Sequence, residues 1–334
     1  MRLVQIIHPE KGRRIAMVDE PSLCLIDKFT SIFQLALCAL ETGGNLIEIV
    51  NNHLTEEILE YDPIYSGQAK WRLLPAVDHP SDDMYCFLSG TGLTHKASAE
   101  NRDKMHTALQ DSKLTDSMKM YQLGVERGKP TSGAIGVQPE WFYKGNGSVL
   151  KSHGDSLHIP SYAMDGGEEP EIAGIYVNDK SGQPWRIGFA IANEFSDHVM
   201  ESMNYLYLAP SKIRSCAIGP ELHLTMNFDR IEGKVRIVRK GAEYWSKDIK
   251  SGEKNMAHSL TNLEHHHFKY ETHRQPKLIN IHFFGADAFS FGDGLSLMSG
   301  DEMEVSWNGM GRSLKNTLTK DRPDGQLIQV KKFR

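Results

Sequence analysis

Two apolar runs, EIAGIYVN (171–178) and WRIGFAIAN (185–193), flank Asp179-Lys180-Ser181-Gly182. Asp, Ser and Gly between segments rich in Ile, Val, Tyr and Phe are the chemistry of a tight connection, so the pair reads as an antiparallel hairpin. Both runs stay apolar almost throughout, which marks buried strands. The rest of the second half repeats the theme: ELHLTMNF, GKVRIVRKG, KLINIHFFG and DEMEVSW are short apolar runs between Gly, Asn and Asp turns. Strand-dominated sequence of this kind predicts an α+β protein built on a mixed β-roll or β-sandwich, not a parallel doubly wound sheet.

Upstream the pattern differs. Residues 2–27 read as a hairpin turning at Pro9-Glu10-Lys11-Gly12. SIFQLALCALETGG (31–44) has apolar residues at helical spacing and a stop at Gly43-Gly44. NLIEIVNNHLTEEILEYD (45–62) reads as a second helix with Asn45 as its N-cap. Prolines and acidic residues around 75–83 suggest a division of the 334-residue chain into a small N-terminal α/β domain, 1–78, and a larger unit, 79–334. The larger unit opens with two helical stretches, KASAENRDKMHTALQ (96–110) and DSMKMYQLGVERG (116–128). The net charge of -5 provides no basic field for nucleic acid or an anionic membrane. Cys24, Cys38, Cys86 and Cys216 lie far apart with no CxxC pair, which suits reduced thiols. With no run of 18 apolar residues and no secretory-type N-terminus, the expectation is a cytoplasmic protein.

Glu169 and Glu171 stand at the mouth of the first buried run, separated by Pro170. Positions i and i+2 of a strand share a face, so the two carboxylates repel one another unless something positive lies between them. Across the hairpin, Glu194 follows five mostly apolar positions and is carried toward the same face. Three carboxylates without cysteine form an oxygen-only donor set that favours Mg2+, with Mn2+ an alternative, over zinc. A Glu-x-Glu is also common on solvated strand faces, and spacing alone leaves both readings open.

The ordered series PEWFYKGNGSVL (139–150), HIP (158–160), EEPEIAGIYV (168–177), GFAIANEFSDHVME (188–201), KIRSCAIGPEL (212–222) and LMSGDEMEVSWNGMGRSLKNTL (297–318) resembles the fumarylacetoacetate hydrolase superfamily. The resemblance covers roughly residues 85 to 320. It implies that fold, a Mg2+ site formed by Glu169, Glu171 and Glu194, active-site lysines at Lys144 and Lys212, and a homodimer. Glu194 stands where the family usually has Asp, one methylene shorter.

Two departures shape the functional expectation. Where the family's C–C hydrolases carry a His-x-x-Glu lid, this chain has Ser98 and Asn101 in direct register, with His95 and Glu100 as alternatives in another. Phe284-Gly285-Ala286-Asp287 replaces a Thr-Gly-Thr-Pro segment, leaving Gly285 and Ala286, with Ser98, as the substrate-binding candidates. Keeping the metal and lysines without the water-activating pair suits an enolate that expels a hydroxyl. The resemblance therefore implies a hydro-lyase of the 2-keto-3-deoxy sugar-acid dehydratase branch, turning 2-keto-3-deoxypentonate into 2-oxoglutarate semialdehyde. Acylpyruvate hydrolysis or oxaloacetate decarboxylation is the alternative, and a non-catalytic sugar-acid binder another. His265-His266-His267 reads equally as a polar helix surface or as a pocket wall with Arg274. His158 is a weak candidate for approaching the site, and Glu302/Glu304 read as a solvated pair.

Overall fold

The computed structural model describes residues 1–100, 115–131, 133–322 and 327–333. At its centre the expected hairpin forms. Pro170–Asn178 pairs antiparallel with Pro184–Asn193, setting Glu171 opposite Ala192 and Asn178 opposite Pro184. Asp179 builds the turn, its Oδ1 accepting from the N–H groups of Ser181 (2.8 Å) and Gln183 (3.0 Å). Gly182 has φ +85°, and a Cβ there would lie 2.2 Å from the Arg274 carbonyl, so both backbone sign and space require glycine.

The hairpin lies within a twelve-stranded sheet whose main path runs Leu54–Glu60, Ser22–Ile26, Gly12–Asp19, Arg2–His8, Cys216–His223, Pro184–Asn193, Pro170–Asn178, Ile279–Phe283, Cys86–Gly90 and Phe142–Asn146. Ile279–Phe283 and Cys86–Gly90 pair parallel, so the sheet is mixed. A second, five-stranded sheet orders Ala242–Ser251, Ile231–Arg239, Glu302–Trp307, Leu314–Lys320 and Ser156–Ile159. Side-chain alternation assigns the two faces of the hairpin. Ala173, Ile175 and Val177 join a core with Leu3, Ile15 and Ile218, while Ile172 and Ile191 pack with Val235, Ile237, Met303 and Leu318 of the smaller sheet. Arg2 and Leu3 pair with His223 and Leu222, so the large sheet runs unbroken from the N-terminal strands into residues beyond 78.

The expected helix over 45–62 is half right. Asn45 does cap a helix, its Oδ1 accepting from Ile47 N–H, but that helix is Leu46–Asn52 only. Residues Leu54–Glu60 form an edge strand on Ser22–Ile26, with Cys24 opposite Ile58. The apolar residues at helical spacing there are overridden by pairing with an open strand edge. The expected helix over 116–128 forms as Asp116–Arg127, capped by Thr115. Of 96–110, residues 96–100 are helical and the rest lies outside the described residues.

Candidate active site

The i, i+2 geometry brings Glu169 and Glu171 to one face at the start of the strand, and Glu194 leaves the end of its partner strand beside them. Glu194 N–H donates to the Glu169 carbonyl (3.0 Å), and Asn193 Oδ1 accepts from the N–H groups of Glu169 and Phe195. One carboxylate oxygen from each of the three glutamates lies within 4.8 Å of the others. All three side chains are buried. The crossing the sequence suggested is the one that forms.

Both lysines reach this cluster. Lys144, on Phe142–Asn146, is fully buried; its Nζ lies 2.8 Å from Glu194 Oε1 and donates to the Phe195 carbonyl at 2.5 Å. Lys212, ending the helix Leu208–Lys212, donates to Glu169 Oε1 (2.5 Å), Glu194 Oε2 (2.8 Å) and Ser196 Oγ (3.0 Å). Two ammonium groups against three carboxylates leave one negative charge, and its effects fall unevenly. Burial pushes Glu169 up, but the Lys212 charge and the His198 hydrogen bond outweigh it and hold the carboxyl well below its ordinary range. Glu171 goes the other way: burial, then the charges of Glu194 and Glu169, push it well above.

That imbalance is the test of whether a cation fits. Glu171 Oε2 accepts from Gly285 N–H at 2.7 Å, whereas its Oε1 is buried without a hydrogen-bond partner. A buried carboxylate oxygen with nothing to bond is costly unless a cation meets it. Among the described residues the ligand atoms grouped here come from the three glutamates alone, an oxygen-only donor set, and the remaining charge is negative. The residues fit a hard divalent ion, with Glu169, Glu171 and Glu194 as its holders.

A small pocket opens on this cluster, lined by Gly92, Ser98, Glu169, His198, Glu201, Gly285, Ala286 and Phe289. Of the residues expected to bind substrate, Ser98 and Ala286 line it directly. Gly285 lines it too, but its N–H is committed to Glu171. Of the two candidates near the lid position, Ser98 faces the pocket and His95 does not. His95 Nδ1 bonds Thr94 Oγ1 (2.9 Å), and burial lowers its ring to about 3. Glu100 pairs with Lys96 at the surface, and Asn101 lies outside the described residues.

Three site residues escaped the sequence reading. Glu168 accepts from both the N–H and the hydroxyl of Ser290, tying the segment that carries Gly285, Ala286 and Phe289 to the metal-facing strand. His198 and Glu201 stand one turn apart on the helix His198–Met203, which Asp197 caps. His198 Nε2 lies 3.1 Å from Glu169 Oε1, and its ring stacks on Phe289 at 4.6 Å. Burial lowers His198, but the Glu169 hydrogen bond and the charges of Glu169 and Glu201 reverse this and raise it overall. Glu201 is buried, with Lys212 Nζ at 3.8 Å. A signal was present: His198-Val-Met-Glu201 is itself a His-x-x-Glu, placed after the second strand instead of in the lid.

Other expectations resolve at a distance from the site. His266 and His267 are buried, so the histidine run is not a polar helix surface: His266 bonds the Gly136 carbonyl, and His267 bonds Asn280 and packs on His273 and His282. His158 is exposed and bonds Thr319. Glu302/Glu304 is not a solvated pair. Glu304 is 7% exposed, bound by Arg236 and by Ser313 (2.7 Å), with Lys315 Nζ at 3.6 Å from both glutamates. Both Glu-x-Glu pairs meet positive charge, but Glu304 finds arginine where Glu171 has an unmatched oxygen.

Gly285 yields a sharp expectation. Its φ is +92°, and a Cβ there would lie 2.1 Å from Thr94 Oγ1. Thr94 is itself anchored to the Phe284 carbonyl at 2.7 Å. Gly285→Ala is expected to displace the N–H that orients Glu171 and to weaken divalent-cation affinity by roughly 10- to 100-fold. Calorimetric titration with Mg2+ reads this; unchanged affinity would mean that the loop does not position Glu171.

Comparison with known proteins agrees with this architecture. No protein-family model matches the chain. The 2-dehydro-3-deoxy-D-arabinonate dehydratase of Saccharolobus solfataricus is 29% identical over 122 residues, 35% of this chain, and the match spans only 40% of that protein's length. A hexagonal crystal form of 2-keto-3-deoxyarabinonate dehydratase superposes with TM-score 0.72 at 19% identity, covering 96% of this chain and 100% of the other. 2-Keto-3-deoxy-D-arabinonate dehydratase complexed with magnesium and 2,5-dioxopentanoate gives 0.70 at 19% identity over the same shares. A 5-carboxymethyl-2-hydroxymuconate delta-isomerase from Mycobacterium smegmatis gives 0.57 at 13% identity, again over 96% and 100%. The α+β fold is the one these dehydratase structures share.

Proposed function

We propose that the protein is a Mg2+-dependent hydro-lyase acting on a 2-keto-3-deoxy sugar acid, with 2-keto-3-deoxypentonate as substrate and 2-oxoglutarate semialdehyde (2,5-dioxopentanoate) as product. The observation that carries this reading is the buried Glu169, Glu171 and Glu194 triad with an unmatched Glu171 oxygen, beside a small pocket. The sequence match to a dehydratase of such an acid supports it. So does the shared fold with an enzyme whose complex holds magnesium and that dioxo acid.

When bound, the cation supplies Lewis acidity that makes protons beside a 2-oxo group easier to remove. The chain's own residues do the rest. Glu169, Glu171 and Glu194 form the seat. Lys144 and Lys212, each buried against it, fix the carboxylates in place and offset two of their three charges. Gly285 N–H holds Glu171 in register from the opposite side. Ala286 and Phe289 line the pocket beside Ser98 and narrow it. At the lid register the lining has Ser98 in place of the water-activating histidine of the C–C hydrolases, which favours elimination over hydrolysis. The His-x-x-Glu that does line the pocket, His198 and Glu201, lies on the helix His198–Met203, with His198 bonded to Glu169.

Purified protein with Mg2+ and 2-keto-3-deoxypentonate is expected to form an aldehyde product, detected by coupled oxidation, and a chelator is expected to stop it. Turnover of acylpyruvate or oxaloacetate with the pentonate untouched would replace this reading by its rival. We extend the proposal to a cytoplasmic homodimer. Exposed Met203, Leu206 and Tyr207, close in sequence to the site helix, support self-association, and light scattering in solution tests it.

A further inference from the structure

One wall of the pocket rests on a buried hydrogen-bonded support that lies apart from the metal seat. Cys86–Gly90 and Ile279–Phe283 pair parallel with Ser89 opposite His282, and strand alternation carries Thr91, two residues on, to the same face as Ser89. The His282 ring sits between the two hydroxyls, Nδ1 2.8 Å from Ser89 Oγ and Nε2 2.7 Å from Thr91 Oγ1. All three side chains are buried. Burial, then the neighbouring His267 and His273, hold the ring well below its ordinary 6.5, so it is neutral. A neutral imidazole has one donor and one acceptor, and a hydroxyl answers either, so both bonds are met. Behind it stands His267, on the helix Leu260–Phe268. Trp141 Nε1 donates to His267 Nδ1 (3.3 Å), which leaves His267 Nε2 to donate to Asn280 Oδ1 (3.1 Å) and fixes the ring 4.6 Å from that of His282.

Thr91 opens the segment that forms the pocket wall, in which Gly92 and Ser98 line the cavity. Between them Leu93 holds φ +53°, a left-handed backbone that a leucine keeps only where its surroundings impose it. Bonds on both sides impose it here. Thr91 N–H donates to the Phe283 carbonyl (2.9 Å) and its hydroxyl meets His282; Thr94 Oγ1 donates to the Phe284 carbonyl (2.7 Å). A Cβ on Gly285 would lie 2.8 Å from the Thr91 carbonyl, so the turn also packs directly against the pocket's opposite lining.

We propose that His282 is a positioning residue of this site: by bonding Thr91 it fixes the turn that presents Gly92 and Ser98 to the ligand, and so acts on the pocket wall and not on the metal seat. The inference rests on the proposed function only in taking this pocket as the place where a 2-oxo acid binds. It gives the buried histidine cluster a part in ligand binding that its distance from the glutamates conceals.

The two ring nitrogens are separable by substitution. His282→Gln carries an amide to the place of Nε2 and keeps the Thr91 bond; His282→Asn carries one only as far as Nδ1, keeping Ser89 and losing Thr91. Three quantities are read on the full chain: Mg2+ affinity, affinity for 2-oxopentanoate in Mg2+, and kcat/KM for 2-keto-3-deoxypentonate. 2-Oxopentanoate has no C4 hydroxyl to lose, so its calorimetric titration reads the wall without turnover. His282→Asn is expected to leave Mg2+ affinity within about two-fold, to weaken 2-oxopentanoate on the order of 10-fold and to lower kcat/KM roughly 100-fold. His282→Gln is expected to stay within a few-fold of the parent in all three, a rescue that mere filling of space would not give. Thr91→Val deletes the hydroxyl at constant shape and is expected to reproduce the loss, with little more lost when it is combined with His282→Asn, because both break one bond. Equal losses in the two His282 variants, unchanged 2-oxopentanoate affinity in Thr91→Val, or Mg2+ affinity falling in parallel would overturn the assignment. If His282→Asn does not fold, Thr91→Val and His282→Gln still decide it. A protein that shows this pattern with 2-oxopentanoate yet leaves the pentonate unchanged would lose the dehydratase reading and keep this one; a parent that binds no 2-oxo acid would lose both.

Discussion

Glu171→Gln is expected to abolish dehydration and, at the same time, to raise the thermal stability of the protein in the presence of a chelator. The two effects share one cause. Without a cation, Glu171 is buried among like charges, with one oxygen unmatched and its carboxyl pushed well above the ordinary range. Such a group opposes folding, because the unfolded chain can ionise it freely in water. Glutamine at nearly the same volume keeps an oxygen for Gly285 N–H and removes the repulsion, so the metal-free variant is expected to melt a few degrees higher than its parent. Removing a site's own electrostatic strain is a recurrent way in which stability is gained and activity lost. Activity is expected to fall by about a thousandfold or more, since a neutral amide neither balances nor strongly coordinates a hard divalent ion. Mg2+ is expected to stabilise the parent by mass action and to leave the variant's melting curve nearly unmoved. Scanning calorimetry with and without Mg2+ tests both halves. A variant less stable than its parent in chelator would show that Glu171 is matched by something other than a cation.

The same residues show what could be read in advance. The Glu169/Glu171 face and the arrival of Glu194 were legible because both follow from strand alternation and from a hairpin whose turn residues announce it. Lys144 and Lys212 came from the resemblance, not from spacing, and their pairing with the carboxylates is a tertiary fact that no local pattern carries. Glu201 and His198 were hidden for a different reason. Their His-x-x-Glu spacing is present in the sequence, but the family resemblance places such a pair at residues 98 and 101, on a different element. The solvent reading of Glu302/Glu304 failed because i, i+2 spacing specifies a shared face without saying what the face meets, and Arg236 comes from another strand. Leu54–Glu60 failed at the level of pairing: an apolar pattern compatible with helix met an open strand edge at Ser22–Ile26 and took it.

Lys212→Met is expected to act with the opposite sign to Glu171→Gln at a distance of one side chain. Lys212 Nζ bonds both Glu169 and Glu194 in a place where its side chain is 1% exposed. Replacing it by an apolar chain of similar length leaves two buried carboxylates with less cation than they need. Truncating one partner of a buried, hydrogen-bonded ion pair usually destabilises a protein by about 3–5 kcal/mol, most of it from the charge left behind. That is a large share of a net stability that is typically about 5–15 kcal/mol. The pH dependence gives the sign independently. Glu169 is buried, yet Lys212 first and His198 next hold its carboxyl well below its ordinary value of 4.5. A carboxyl lowered on folding contributes stability that is present above 4.5 and lost as the pH falls below it, through the lowered value in the folded state. Lys212→Met is expected to remove that contribution at neutral pH and to flatten the acid limb of the stability curve below 4.5, measured by denaturant melts across pH. Adding Glu169→Gln to Lys212→Met is expected to restore much of the loss, because the orphaned charge goes with its partner. If the double variant is no more stable than Lys212→Met alone, Lys212 stabilises the site through its ammonium over the Phe142 ring, 4.9 Å away, and not through its pairing with Glu169.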